Sequence, residues 1–295
     1  MAAAVSIPLP GTGDRPVPFG RRIELPRRGT TFVRELPGPA GAPTLLLLHG
    51  WGASSALNWY RVFEPLSRHF RIVAPDLRGH ARGLRTQSVF RLADCADDCA
   101  STLVEIGAGP VIAVGYSMGG PVAQLLWRRH RDLVDGLVLC ATTHGFFPQR
   151  ASRMWCQGWT LAAVTAARAG AIAHVPSAVP SVVLPRGGNR TWAAAEMRRH
   201  DWRMLLEAGH SLCTYHAGRW IGGVDVPTAV VCTTADRSVA ADLQLATAAA
   251  IPGATVHRIA DGHLACAGAG FADPLLRACY DVTGRVRGGL RSRAR

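Results

Sequence analysis

The stretch Val111-Ile-Ala-Val-Gly-Tyr-Ser117-Met-Gly-Gly120 decides the fold that we predict for this chain. Its short β-branched run is typical of a buried strand, and Pro121 suits the first turn of a following helix. Gly115 and Gly119 flank Ser117 where a sharp strand-to-helix turn needs close backbone approach. Such a turn pushes the hydroxyl outward, beside free N–H groups at a helix N-terminus that favour developing negative charge. The stretch therefore predicts a strand that delivers a nucleophile.

Alternating strands and helices surround this stretch. Short apolar runs predict buried strands at 44–48, 70–74, 137–140, 228–232 and 254–259, and apolar periodicity predicts helices at 57–68, 91–106, 121–130 and 239–250. Two strand-like pieces between residues 22 and 35 predict a hairpin before them. We therefore predict an α/β fold with a mostly parallel central sheet and helices on both faces.

The alternation stops after residue 144 and resumes near residue 221. Between them lie tryptophan-rich helical segments separated by the proline-rich stretch 176–185, which predict an inserted helical cap. The predicted organisation is a loose N-terminal arm (1–25), a first core part (26–144), the cap (145–220), a second core part (221–284) and a basic C-terminal tail (285–295).

A second motif, His49-Gly50-Trp51-Gly52, precedes Gly115-Tyr-Ser-Met-Gly119, and Asp236 and His263 follow in the order Ser, Asp, His. On these motifs the chain, from about residue 26 to residue 283, resembles the α/β-hydrolase superfamily of the serine-nucleophile type with a helical cap. The loop 76–83 departs from the family's glycine pattern, since Ala81 stands between Gly79 and Gly83. The shape of that loop is therefore not predicted from the resemblance.

Ser117, Asp236 and His263 each follow a predicted strand at the same, carboxyl edge of the sheet. A serine hydroxyl is a poor nucleophile, so it needs a base within hydrogen-bond reach and a carboxylate that orients the base. We predict that these three residues form a catalytic triad. The rival acids Asp242 and Asp225 lie in a predicted helix and just before a proline, respectively.

The oxyanion hole is predicted to use two backbone N–H groups. One belongs to Met118, the residue after the nucleophile, and the resemblance implies that Trp51 supplies the other. A serine at the elbow argues against the epoxide-hydrolase and dehalogenase branches, which attack with a carboxylate. Without a phosphate loop, a dinucleotide glycine motif or an evident metal cluster, no cofactor and no metal are predicted.

The formal charge of +13 raises the question of nucleic-acid or membrane partners. All 33 basic residues are arginines, scattered among abundant alanine and glycine, which indicates a coding bias, so nucleic-acid binding is not predicted. The N-terminus lacks the pattern of a secretory signal. The longest apolar stretch, 159–175, is interrupted by Arg168 and is short for a span. These features predict a cytoplasmic protein with no stable membrane insertion.

Eight cysteines are spread along the chain without a CxxC pair. In a cytoplasmic protein we expect them to stay reduced and to behave as small apolar residues. Cys95 and Cys99 share an apolar stripe with Leu92, Leu103 and Ile106, which favours packing over a metal pair.

These features predict a hydrolase that cleaves carboxylic esters or thioesters of apolar small molecules through an acyl-enzyme. Carbon–carbon bond hydrolysis of diketones and acyl transfer to an alcohol use the same triad and remain open. A ligand-binding protein that keeps the fold without useful turnover is the alternative from another class. The sequence makes no prediction of an oligomeric state.

Overall fold

An eight-stranded sheet forms the centre of the computed structural model, which describes residues 6–7, 17–147, 149–169 and 190–293. Its strands in chain order are β3 (Gly20–Leu25), β4 (Gly29–Leu36), β5 (Thr44–Leu48), β6 (Arg71–Pro75), β7 (Val111–Tyr116), β8 (Val134–Cys140), β9 (Thr228–Thr233) and β10 (Thr255–Ile259), preceded by the separate pair β1 (Ser6–Ile7) and β2 (Val17–Pro18). The spatial order is β10-β9-β8-β7-β5-β6-β4-β3. Only the β3/β4 and β4/β6 pairs are antiparallel, so the predicted mostly parallel sheet is confirmed.

Nine helices occur in the described residues: α1 (Ser55–Trp59), α2 (Phe63–Ser67), α3 (Leu92–Glu105), α4 (Gly119–Arg129), α5 (Arg150–Arg168), α6 (Arg190–Met197), α7 (Trp202–Thr214), α8 (Ala241–Ala250) and α9 (Ala272–Arg293). Among these helices, none combines the length and the apolar character needed to cross a membrane. The single helix predicted over 57–68 is instead two short helices, because the chain turns between Trp59 and Phe63.

Side chains alternate between the two faces of the buried strands. On β5, Leu46 and Leu48 join a core cluster with residues of α3, α4 and α8, whereas Leu45 and Leu47 join a second cluster with residues of α1, α2 and α9. Strands covered on both faces need apolar residues at every position, which explains the continuous apolar run of β5. The predicted layers, with helices on both faces, are confirmed. Cys95 and Cys99 lie fully within the first cluster, as packing predicts.

Both predicted chain ends need correction. β3 (Gly20–Leu25) pairs with β4 along its whole length, so the part of the chain that we assigned to a loose arm (1–25) contributes a strand to the central sheet. Its last residue, Leu25, is fully buried. At the other end, α9 continues to Arg293, so the described part of the predicted tail (285–295) is helical. The rest of the predicted arm, apart from β1 and β2, lies outside the described residues.

Three helices, α5, α6 and α7, occupy the chain between β8 and β9, within the range predicted as a cap. The proline-rich stretch 176–185 lies outside the described residues. α5 packs along α7, and a disulfide joins Cys156 of α5 to Cys213 of α7. This corrects the expectation that every cysteine is a free thiol, which the spacing in sequence could not anticipate because only the packing of the two helices brings the pair together. The other six cysteines are free and buried.

Strand register places four loops side by side at the carboxyl edge of the sheet. Leu48, the last residue of β5, is paired with Gly115 of β7, so the loop after β5 lies beside the turn at Ser117. Thr233 and Ile259 end β9 and β10 as a pair, so the loops that follow these two strands also lie together. Residues far apart in sequence can therefore form one site.

Candidate active site

Ser117 occupies the turn between β7 and α4 with a φ of +50°, a left-handed conformation that is rare for a residue with a side chain. The neighbouring glycines allow it through close packing. A Cβ on Gly115 would lie 2.3 Å from the carbonyl oxygen of Gly119, and a Cβ on Gly119 would lie 2.1 Å from that of Leu48. Both positions need glycine because the backbone of a neighbouring segment lies too close for a side chain. The left-handed φ is that of the serine itself, as in a nucleophile elbow.

The three residues of the predicted triad are brought together. Ser117 Oγ lies 3.0 Å from His263 Nε2, and His263 Nδ1 lies 2.8 Å from Asp236 Oδ2. The carboxylate can only accept, so Nδ1 carries the proton and Nε2 is left to accept from the serine hydroxyl. This tautomer can take the serine proton as a general base.

Besides the bond from His263, three hydrogen bonds of less than 3 Å fix the Asp236 carboxylate. Oδ1 accepts from the backbone N–H groups of Ser238 and Val239, at 2.8 and 2.9 Å, and Oδ2 also accepts from the Thr233 hydroxyl at 2.9 Å. Burial works to raise its pKa, but the bonds from His263 and Val239 outweigh burial and hold the pKa below its usual value. The carboxylate thus stays ionised beside the histidine. The rival acids are elsewhere: Asp242 is exposed, and Asp225 pairs with Arg131.

The predicted oxyanion donors lie on both sides of the serine. Met118 is buried at the start of α4, and no hydrogen bond of the described residues uses the backbone N–H of Met118 or of Trp51. The Trp51 side chain is held by its indole N–H, which donates to the carbonyl of Leu205 in α7 at 2.8 Å. Gly50 N–H is bound by Asn58 Oδ1 at 2.9 Å, which orders this loop beside Ser117.

A cavity of about 100 Å³ opens on Ser117 and His263. Most of its wall is apolar, from Trp51, Leu57 and Leu264 on the sheet side and from Ala193 and Met197 of α6. Trp155 and Trp159 of α5 do not line this cavity, and 71% and 65% of their surfaces are exposed. The cavity suits a small apolar group next to a reacting carbonyl.

Two polar residues at this site were missed in the sequence. The Tyr116 hydroxyl donates to the backbone carbonyl of His263 at 2.6 Å, which ties the elbow strand to the histidine loop. Asn58 is buried and lines the cavity, and its Nδ2 has no partner among the described residues. Because Oδ1 must face the Gly50 N–H, Nδ2 is a spare donor at the cavity. Tyr116 occupies a variable position of the Gly-x-Ser-x-Gly motif and Asn58 lies in no motif, so the sequence indicates neither role.

No group of three or more histidine, cysteine or acidic side chains in the described residues is arranged to hold a metal ion.

The elbow, the order of the strands and the serine–histidine–aspartate geometry define a class of protein, and comparison with known families agrees. The family model of the α/β hydrolase fold matches residues 43–169. The chain therefore has the α/β-hydrolase fold.

Similarity to individual proteins is more limited. The chain is 38% identical over 106 residues to the pimeloyl-[acyl-carrier protein] methyl ester esterase of Vibrio vulnificus, a match that covers 35% of this chain and only 38% of that protein. A longer match, 29% identical over 243 residues, links it to the magnesium-chelatase 30 kDa subunit of Rhodobacter capsulatus and covers 77% of this chain and 82% of that protein.

Solved structures show the same fold at low identity. An esterase from Thermogutta terrifontis is 24% identical, with a TM-score of 0.67 over 92% of this chain and 98% of that chain. A bromoperoxidase from Bacillus anthracis is 14% identical, with a TM-score of 0.72 over 89% of this chain and 100% of that chain. Proteins with different names thus share this architecture, so the activity has to be argued from the site.

Proposed function

We propose that the protein is a serine hydrolase that cleaves carboxylic esters or thioesters of small apolar molecules through an acyl-enzyme. The observation that carries the proposal is the continuous chain of hydrogen bonds from Ser117 through His263 to Asp236, with 3.0 and 2.8 Å between the bonded atoms. The esterase names of several relatives support the ester bond as the point of attack.

In the proposed reaction, Ser117 Oγ attacks the substrate carbonyl while its proton passes to His263 Nε2. The backbone N–H groups of Met118 and Trp51 stabilise the oxyanion of the tetrahedral intermediate. The protonated histidine then gives its proton to the leaving alcohol or thiol, and an acyl-serine remains. Water, deprotonated by the same histidine, attacks the acyl group and releases the acid. The Asp236 carboxylate stabilises the positive charge on the histidine throughout.

The helices between β8 and β9 act as a cap over the site in this proposal. Support comes from Ala193 and Met197 of α6, which face Ser117 across the cavity, and from Leu205 of α7, which binds the Trp51 indole. The choice of substrate would then depend on α6 and α7, whereas the reaction itself would depend on residues at the carboxyl edge of the sheet. We propose that the reaction takes place in the cytoplasm.

The test combines an active-site probe with one substitution. Ser117→Ala should abolish both labelling by a fluorophosphonate and turnover of p-nitrophenyl esters of graded acyl length, with a loss on the order of 10⁴-fold or more if the triad works as a unit. Ser238→Ala is the control, because that exposed serine contributes only its backbone N–H to the site. Peptide mass spectrometry locates the adduct, and an adduct on another serine would refute the proposal.

Product analysis separates hydrolysis from acyl transfer by the same triad. In water enriched in ¹⁸O, ester hydrolysis places one label in the released acid. Transfer of the acyl group to an added alcohol, with no labelled acid, would instead show an acyltransferase.

A further inference from the structure

An arginine-lined cleft lies on the outer side of α6, away from the catalytic cavity. It has a volume of about 750 Å³, and its wall includes Arg22 of β3, Arg82 and Arg85 of the loop after β6, and Arg199 just beyond α6. A smaller adjoining cleft of about 300 Å³ shares Gly20, Phe32 and Arg82 with it and adds Arg34. Five guanidinium groups therefore surround one continuous depression.

The carboxylates near this cleft are already engaged. Glu196 of α6 binds Arg82 through both oxygens, at 3.0 and 2.8 Å, and also accepts from Arg199 at 3.3 Å and from the Ser54 hydroxyl at 3.1 Å. Asp76 accepts from Ser55 and from the backbone of Arg82. Glu24 of β3 accepts from the hydroxyl of Thr30 in the cleft wall at 3.0 Å. Three carboxylates thus stand against five guanidinium groups, so the positive charge around the cleft is in excess.

Arg22 and Arg85 are the arginines that remain. Neither has a carboxylate partner within the part of the chain that the structure describes, and Arg85 donates instead to the backbone carbonyl of Arg199. Both are exposed at the cleft wall, so their remaining donors are available to a ligand. Planar guanidinium groups bind phosphate oxygens through pairs of parallel hydrogen bonds.

Arg34 is a buried cation at the wall of the adjoining cleft. Its Nε has no partner among the described residues, and its guanidinium stacks over the Phe32 ring at 5.0 Å, with Arg82 over the same ring at 5.2 Å. Burial lowers the pKa of Arg34, and the nearby carboxylates of Asp76 and Glu196 only partly offset this effect. An anion in the adjoining cleft would further stabilise the charge of this buried guanidinium.

We propose that this cleft is a binding site for a phosphate-bearing ligand. Arg22, Arg85 and Arg199 contact its oxygens, while Arg82 and Glu196 fix the wall behind them. The site lies directly behind the helix that closes the catalytic cavity, since Ala193 and Met197 face Ser117 and Glu196 faces the arginines. A ligand here can therefore be either the phosphate-bearing part of a long substrate or a separate phosphate compound that acts on α6.

The test measures binding of inorganic pyrophosphate to the full chain by isothermal titration calorimetry at fixed ionic strength, because salt screens exposed charges. The wild type should bind one pyrophosphate saturably, with a Kd below about 1 mM. The Arg22→Gln/Arg85→Gln variant should bind at least about tenfold more weakly, since it loses charge-assisted bonds. The matched control is Arg219→Gln/Arg277→Gln, which removes the same charge from two exposed arginines elsewhere.

Control and wild type should bind alike. Equal weakening in the two double variants would show that pyrophosphate binding depends only on the net charge of the protein. Either this result or the absence of saturable binding to the wild type overturns the proposal. Thermal melting shows that each variant is folded. The binding measurement needs no turnover, so it stands apart from the proposed ester hydrolysis.

Two kinetic comparisons identify the source of the phosphate. If the substrate carries it, the cleft variant should raise KM about tenfold or more for butyryl-coenzyme A but not for p-nitrophenyl butyrate. If the phosphate belongs to a separate compound, pyrophosphate should change p-nitrophenyl butyrate turnover in the wild type and not in the cleft variant.

Discussion

Tyr116 shows how a single hydroxyl can link two parts of the site. Its O–H donates to the His263 carbonyl and so holds the histidine loop against the elbow strand. It is thus a positioning residue for His263. Burial, with nearby Cys266, raises its pKa, so it stays a donor at any working pH.

Tyr116→Phe should therefore lower kcat by about 2- to 10-fold with little change in KM, since a typical net hydrogen bond contributes about 0.5–1.5 kcal/mol. Steady-state kinetics on one ester measures both constants. Tyr280→Phe is the matched control, because its ring is partly exposed and lies against Phe70. If Tyr116→Phe raised KM alone, the positioning role would be wrong.

Asp236 offers a sharper substitution. In Asp236→Asn, an amide NH₂ can take the place of the oxygen that accepts the hydrogen bond from His263 Nδ1, which would favour the opposite tautomer of His263. Turnover should therefore fall by up to about 10⁴-fold, as it does when a serine protease loses its orienting aspartate. Asp242→Asn, on the exposed side of α8, should leave turnover unchanged. Initial rates of the two purified variants give the answer, and similar rates would remove Asp236 from the triad.

The sequence was enough to place Ser117, Asp236 and His263 together, because each follows a strand at one sheet edge. The catalytic roles that we assign to them are proposals. Asn58 gave no signal, because its role depends on Oδ1 reaching Gly50, eight residues earlier, within a loop whose path is fixed by packing.

The turn from β7 to α4 depends on glycine for space. Gly115→Ala would place its Cβ 2.3 Å from a backbone oxygen, so the turn would have to open, and the free energy of unfolding should fall by about 1–3 kcal/mol or more. Gly158→Ala is the opposite case: it lies within α5 with no atom within 4 Å of the new Cβ, and should stabilise the helix by about 0.5–1 kcal/mol.

Urea unfolding of the two variants beside the wild type tests this contrast. Opposite shifts in the unfolding midpoint are expected. A Gly115→Ala variant as stable as the wild type would mean that the turn relaxes without cost.

Most helices and strands matched their predicted positions within a few residues, and the exceptions have physical causes. The predicted hairpin between residues 22 and 35 corresponds to β3 and β4, but β3 begins earlier, at Gly20. The earlier start was missed because exposed Arg21 and Arg22 hide the strand pattern carried by Ile23 and Leu25. The break between α1 and α2 was missed because apolar periodicity continues across it, through Tyr60 and Val62, which are both buried.

Three buried histidines join separate parts of the chain: His49 after β5, His80 after β6 and His200 after α6. Their ring centroids lie 5.2 Å (His49–His80) and 5.5 Å (His80–His200) apart. Burial lowers the pKa of all three, and lowers that of His200 to about 4. All three are therefore neutral in the folded protein at neutral pH.

Acid should destabilise the fold through this cluster. In the unfolded chain these histidines bind protons below about pH 6.5, whereas in the folded protein they bind protons only at a lower pH. Stability is thus fully present above pH 6.5 and is lost as the pH falls toward about 4, where His200 alone accounts for about 3 kcal/mol. Melting temperatures from pH 7.5 to 4.5 measure the loss.

His200→Gln should flatten the pH dependence of the melting temperature, and His69→Gln, at an exposed histidine, should leave it as in the wild type. Parallel curves for all three proteins would exclude the cluster as the cause.

The order of strands in the sheet was beyond prediction from sequence. Apolar runs identify strands covered on both faces, but they carry no information on which strand lies next to which. The disulfide and the arginine cleft likewise arise from contacts of α5, α6 and α7 that no periodicity encodes.

The central sheet ends at β3 on one side and at β10 on the other. An unpaired strand can recruit a strand of another molecule and start aggregation. β3 carries exposed Arg21, Arg22 and Glu24, and β10 carries exposed Arg258 in its short length. These charges would have to be buried between two molecules if the sheets joined edge to edge. The arginines of β3 therefore also oppose edge-to-edge association of molecules in concentrated solution, so that the sheet keeps its eight strands.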